Sequence, residues 1–188
     1  MSQTDTPDLS GCKVAILACD GFEQAELAEP RKALEAAGAQ TVLLSIHTGQ
    51  VQGFNHDKPA DKFEVQGTFD DARPEEYDAV LLPGGVMNAD HIRTSQSAQR
   101  IVQAIEKAGK PVFVICHGPW LLISAGLMKG RKLTSWPSLQ DDIRNAGGEW
   151  TDQEVVRDRN WVSSRKPADI PAFNRAICEC LAEARQHA

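Results

Sequence analysis

The sequence predicts an α/β protein built on an open, doubly wound and mostly parallel sheet. Three observations carry this reading. The runs Lys13–Ala18, Tyr77–Leu82 and Pro111–Ile115 are short and apolar on consecutive positions, as strands covered on both faces are. Amphipathic stretches of helical period alternate with them. The connections are short, as right-handed β-α-β units require.

Lys13–Ala18 is the first strand. Glu23–Ala37 then carries Ala25, Leu27, Ala28, Ala33, Leu34 and Ala37 at helical spacing, with Gly38 closing the helix. Pro30 inside this stretch predicts a kink or a late helix start. Thr41–Ser45 is the second strand. Residues 46–73 hold many turn formers and two short candidate strands, near 50–53 and 63–65, which predicts an edge excursion. Tyr77–Leu82 is a buried strand stopped by Pro83-Gly84-Gly85. Ser95–Ala108 is an amphipathic helix closed by Gly109, and Pro111–Ile115 is the most apolar strand. A helical run from Pro119 to Ala125 follows Cys116-His117-Gly118. Lys132–Thr134 reads as a further strand. Ser138 is placed to N-cap a helix ending near Ala146, with Asp141 at N3. Val155-Val156 and Trp161–Ser163 form a closing hairpin around Asp158-Arg159-Asn160. The last helix runs from Asp169 to Ala184, with Pro171 in its first turn.

The 188 residues suit one domain, 12–188, after a polar lead-in, 1–11, expected to be disordered. The net charge of −6 argues against non-specific binding to nucleic acid or to anionic membrane. No stretch approaches the ~20 apolar residues of a membrane span, and no signal peptide is evident, which predicts a cytoplasmic protein. Cys12, Cys19, Cys116, Cys178 and Cys180 contain no CxxC pair, so free thiols are expected. The histidines have no metal-ligand spacing, and neither a P-loop nor GxGxxG occurs. No metal or other cofactor is expected. Lys129, Arg131 and Lys132 read as a solvated basic patch.

Open parallel sheets place their sites beyond the carboxyl ends of the strands. Those ends carry Asp20–Glu26, Gly84-Gly85, Cys116-His117 and Ser135-Trp136-Pro137. Cys116, between a strand and a helix, is placed as a nucleophile, with the helix dipole expected to favour its thiolate. Cys19 is a weaker second candidate. Cys12, Cys178 and Cys180 read as core residues, the last two facing different sides of their helix. Gly84 and Gly85 offer backbone N–H groups for an oxyanion. His117 is placed as a base or as a substrate-orienting group, although it must point elsewhere unless the backbone bends sharply. Glu23 and Glu26 share a helix face. A carboxyl tucked against a thiol would be protonated and donate a hydrogen bond to it.

The segments Ala18–Leu27, Leu82–Gly85, Ile115–Pro119, Thr134–Pro137 and Val162–Arg165 together resemble the PfpI family of the class I glutamine amidotransferase-like superfamily. That family holds intracellular cysteine peptidases, general stress proteins and relatives of the parkinsonism-associated deglycase. The resemblance covers Lys13 to about Leu181. It implies a flavodoxin-like three-layer sandwich, with Cys116 as nucleophile, His117 as its neighbour and Glu26 as the protonated carboxyl on the thiol. Glu23 lies near the pocket in similar proteins. The resemblance also implies a homodimer, in some members a hexamer. In the oligomeric peptidases an acid from a neighbouring subunit completes a triad. Asp90, counted back from Arg93, stands at that position, where the family has glutamate.

Three functions follow from this resemblance. The leading one is a cofactor-independent cysteine enzyme acting on glyoxals or on their adducts with proteins or nucleotides. In it Gly85 supplies the oxyanion donor, Glu23 and Trp136 stand in the substrate-binding set, and His117 or water moves protons. A PfpI-type peptidase is the second. A redox-sensing or chaperone-like stress protein, in which Cys116 is oxidised to the sulfinic acid, is the third.

Overall fold

The computed structural model describes residues 7–186. In chain order it contains β1 (Lys13–Leu17), β2 (Phe22–Glu23), α1 (Gln24–Ala36), β3 (Gln40–Ser45), β4 (Gly49–Asn55), β5 (Lys58–Val65) and β6 (Gly67–Thr68). There follow β7 (Ala79–Leu82), α2 (Val86–Ile92), α3 (Gln96–Lys107), β8 (Val112–Ile115), α4 (Pro119–Ser124) and β9 (Lys132–Leu133). The chain closes with α5 (Gln140–Asn145), β10 (Glu149–Trp150), β11 (Val155–Asp158), β12 (Trp161–Ser164) and α6 (Ile170–Gln186).

Seven strands form the central sheet in the order β11-β12-β8-β7-β1-β3-β6. All neighbours are parallel except the β11–β12 hairpin. The period-2 alternation of the strands sorts their side chains into two cores. Val14, Ile16, Leu43, Leu81, Phe113 and Val162 face one layer with α1 and α6. Ala15, Leu17, Leu44, Val80, Val112 and Trp161 face the other with α3, α4 and α5. This is why the strands read as continuous apolar runs, and it is the expected three-layer sandwich.

Several expectations need correction. Residues 1–6 of the expected lead-in lie outside the described residues. Within the rest of it Leu9 is fully buried and its N–H donates to the Ala37 carbonyl, while Asp8, Ser10 and Gly11 are exposed. Pro30 delays nothing, since α1 begins at Gln24 and carries Pro30 as a buried residue within it. The excursion is a full hairpin, β4–β5, joined by β2 into a separate three-stranded sheet. The Lys132 strand pairs with β10 and is not part of the central sheet. Ser138 caps nothing, because a 3-10 turn over Pro137–Leu139 leads into α5 and Leu139 holds the cap position. The sequence carries no periodic signal for α2, because its seven residues are too few to show one.

Arg131 is not surface. Its guanidinium is buried, pairs with Glu106 and Asp158, and lies 4.4 Å from the Trp161 ring centre. Burial alone would raise the Glu106 carboxyl. Hydrogen bonds from Trp161 and Asn160, with the charge of Arg131, outweigh burial and hold it below its ordinary value. Cys178 and Cys180 are both buried in the α1–α6 layer, whichever side of the helix each leaves from.

Candidate active site

The strand order reverses at β1. The chain moves outward from β1 to β3, then returns to place β7 on the other side of β1. Such a switch point leaves a crevice at the carboxyl edge. Here it is a cleft of about 220 Å3 whose lining includes Glu23, Glu26, Gly85, Cys116, His117 and Trp136. Six of the sequence-predicted site residues are thus brought together from the ends of four segments. Gly84 sits directly beneath them.

Cys116 leaves β8 with φ +62°, a left-handed conformation that costs a non-glycine residue roughly 1–2 kcal/mol. That bend answers the objection to His117. It turns the chain so that Cys116 Sγ and His117 Nδ1 lie 3.1 Å apart, hydrogen-bonding distance for sulfur. The bend also needs glycine two residues on. A Cβ at Gly118 would come within 2.7 Å of the Leu82 carbonyl and 2.8 Å of Val114 Cγ2. The Trp136 N–H donates to the Cys116 carbonyl at 3.0 Å, fixing the elbow from the far side.

Glu26 is fully buried one turn into α1. Its Oε2 accepts from the Gly84 N–H at 2.9 Å, while Oε1 has no hydrogen-bond partner. Burial pushes this carboxyl up to about 8, assisted by the charge of Glu23 and opposed by hydrogen bonds from Cys116 and Gly84. At neutral pH it therefore carries a proton.

The thiol corrects an expectation. Burial pushes Cys116 up, and an ionised Glu26 would push it further. The Gly85 and His117 backbone N–H groups pull the other way without overcoming burial. The helix-dipole argument fails because α4 is six residues long and starts at Pro119, beyond the thiol. Two buried acids in contact resist bearing two charges, so the pair supports one ionisation. When that charge is on sulfur, protonated Glu26 is a hydrogen-bond donor beside it.

Burial lowers His117 to about 4, so its imidazole is neutral at pH 7. The ring stacks on Trp136 with centres 5.9 Å apart and meets Trp120 edge-on at 5.3 Å. Gly85 has φ +86°, and a Cβ there would come within 2.6 Å of the Glu23 nitrogen and 2.8 Å of Phe22 Cα.

Asp90 lies on α2, exposed and outside the cleft lining. Cys19 lies in the other core layer, where its N–H donates to Asn88 and burial pushes its thiol up to about 11. It is not a second nucleophile of this cleft. Sequence reasoning missed His56, Val86, Met87 and Pro167, which also line the cleft. His56 had no local signal, since only the folding of β4–β5 back onto β2 brings it there. No group of side chains suited to a metal ion occurs among the described residues.

Residues 12–180 match the DJ-1/PfpI family. The chain is 44% identical over 169 residues to the deglycase PH1704 of Pyrococcus horikoshii, covering 90% of this chain and 99% of that one. It is 41% identical over 171 residues to protein/nucleic acid deglycase 2 of Escherichia coli, covering 90% and 97%. Among solved structures, Drosophila melanogaster DJ-1beta superposes with a TM-score of 0.83 at 25% identity, over 94% of each chain. A bent cysteine elbow over a buried glutamate, together with near full-length similarity at this level, places the chain in the DJ-1/PfpI family.

Proposed function

We propose that this protein is a cofactor-independent cysteine enzyme that consumes reactive 2-oxoaldehydes, free or as early adducts. The observation that carries the reading is the strained Cys116 elbow, with the buried Glu26 carboxyl and the neutral His117 imidazole both against its thiol. The names of the relatives support it.

Cys116 Sγ attacks the aldehyde carbon, and the thiol proton leaves by way of His117 Nδ1 to the carbonyl oxygen, forming a hemithioacetal. The Gly85 N–H stabilises the charge developing on that oxygen. Moving the carbinol C–H proton to the neighbouring ketone carbon, and the hydroxyl proton to the ketone oxygen, gives the thioester of a 2-hydroxy acid. Water then hydrolyses the thioester and returns the thiol. The sum for methylglyoxal is one aldehyde and one water to one lactate and one proton, with no outside oxidant. Protonated Glu26 donates to sulfur whenever sulfur bears charge.

Cytoplasmic residence fits five free thiols and the absence of a membrane-spanning helix among the described residues. A homo-oligomer fits the exposed Val86, Met87 and Trp136 at the cleft mouth, and would leave Asp90 free to serve a neighbouring copy. The peptidase reading depends on that neighbour.

Lactate formed from methylglyoxal by purified wild type and Cys116→Ser tests the proposal. Loss of all turnover in the serine variant is expected. Turnover at the wild-type rate would sink the reading.

A further inference from the structure

The β4–β5 hairpin ends in a two-residue turn, His56-Asp57, with Asn55 paired to Lys58. His56 has φ +59° at the first turn position, where glycine is the usual residue. The turn is held against the site. β2 pairs with β4, the Gln52 N–H donates to Asp20 Oδ1 at 2.7 Å, and Gln24 and Asp61 exchange hydrogen bonds of 2.9 and 2.8 Å. The segment Asp20–Gln24, which carries the cleft wall, is therefore the same segment that fixes the hairpin.

The consequence falls on Glu23. Its Oε2 accepts from the His56 backbone N–H at 3.0 Å. The imidazole Nδ1 stays 3.7 Å from that oxygen, beyond a hydrogen bond, and the side chain is 82% exposed. Glu23 itself is only 13% exposed, so its carboxylate is held in place with one oxygen uncommitted. The other acid of the lining, Glu26, is fully buried with Oε1 unpartnered. The lining contains two glutamates and two histidines and neither lysine nor arginine.

We propose that Glu23, oriented by the His56 backbone N–H, is a cation-binding residue at the cleft mouth. It would select adducts carried on guanidinium or ammonium groups over adducts carried on phosphate-bearing nucleotides. A fixed carboxylate in a lining without positive side chains attracts the first class and repels the second. This deepens the proposed function by naming its substrate class. His56 is a positioning residue, acting through its N–H rather than its ring.

Equilibrium binding to the full chain tests this without relying on turnover. The probes are Nα-acetylarginine methylamide, its neutral citrulline counterpart and guanosine monophosphate, followed by NMR or calorimetry. Wild type should bind the arginine probe about tenfold more tightly than the citrulline probe, and the nucleotide least. The ratio should collapse toward one in Glu23→Gln. It should persist in His56→Gly, which keeps the N–H and suits a positive φ. Equal affinities in wild type, no binding of any probe, or an unchanged ratio in Glu23→Gln each overturn the proposal. Methylglyoxal turnover measured alongside separates the two ideas. Turnover with a ratio of one defeats the cation site alone, whereas a tenfold ratio without turnover defeats the enzymatic reading alone.

Discussion

Gly84 and Glu26 are fitted to each other. The Gly84 N–H holds Glu26 Oε2 at 2.9 Å, and a Cβ on Gly84 would overlap that oxygen and come within 2.6 Å of Cys116 Cβ. The approach of carboxyl to thiol depends on the missing side chain. Gly84→Ala should therefore cost about 1–3 kcal/mol of stability by overpacking. It should also lower kcat/KM on the order of 100-fold, because an ångström of displacement at a reacting pair is expensive. Urea unfolding with methylglyoxal kinetics checks both, and an alanine variant indistinguishable from wild type would show that the neighbours yield.

The buried carboxyl and imidazole make stability depend on pH in opposite senses. Burial raises Glu26 from 4.5 to about 8, so in that window the folded protein holds a proton the unfolded chain has released. Stability falls with rising pH there. Burial lowers His117 from 6.5 to about 4, so stability falls as pH drops through that window. The two slopes cancel between pH 4.5 and 6.5. Between 6.5 and 8 the Glu26 slope remains, about 2 kcal/mol in all. Wild type should lose this amount in urea unfolding at pH 8 relative to 6.5, and Glu26→Gln should not. Parallel profiles for the two proteins would contradict a protonated Glu26.

Trp136 covers the His117 ring, and Trp120 meets it edge-on. Removing the first cover should wet the imidazole. In Trp136→Ala the His117 titration, followed by NMR, should move upward from about 4 toward 6.5, with kcat/KM down about tenfold. Trp136→Phe should retain most of both properties. A His117 titration unmoved in the alanine variant would mean that Trp136 does not desolvate it.

Arg131 joins α3 to the β11–β12 turn through Glu106, Asp158 and Asn160 beneath the Trp161 ring. Arg131→Ala leaves Glu106 and its neighbours without their cation, at an expected cost of about 3–5 kcal/mol. Activity per folded molecule should be retained, since this network lies outside the cleft. A loss below 1 kcal/mol in chemical denaturation would assign the arginine a solvated role.

Local patterns in the chain determined much of this protein. Consecutive apolar residues in Lys13–Leu17, Ala79–Leu82 and Val112–Ile115 required burial on both faces, and hence a layer on each side of a parallel sheet. The motifs at the strand ends then placed Glu26, Gly84, Gly85 and Cys116 at one edge. Only the tertiary structure decided what depends on residues distant in sequence. It withdrew the Lys132 strand from the sheet, buried Arg131, and brought His56 to the cleft through a hairpin paired with β2. It also decided protonation. The position of Cys116 after a strand argued for a lowered thiol, whereas burial beside a second acid raises it and keeps a proton on Glu26. Desolvation is a property of everything packed around a group, and no short stretch of sequence contains it.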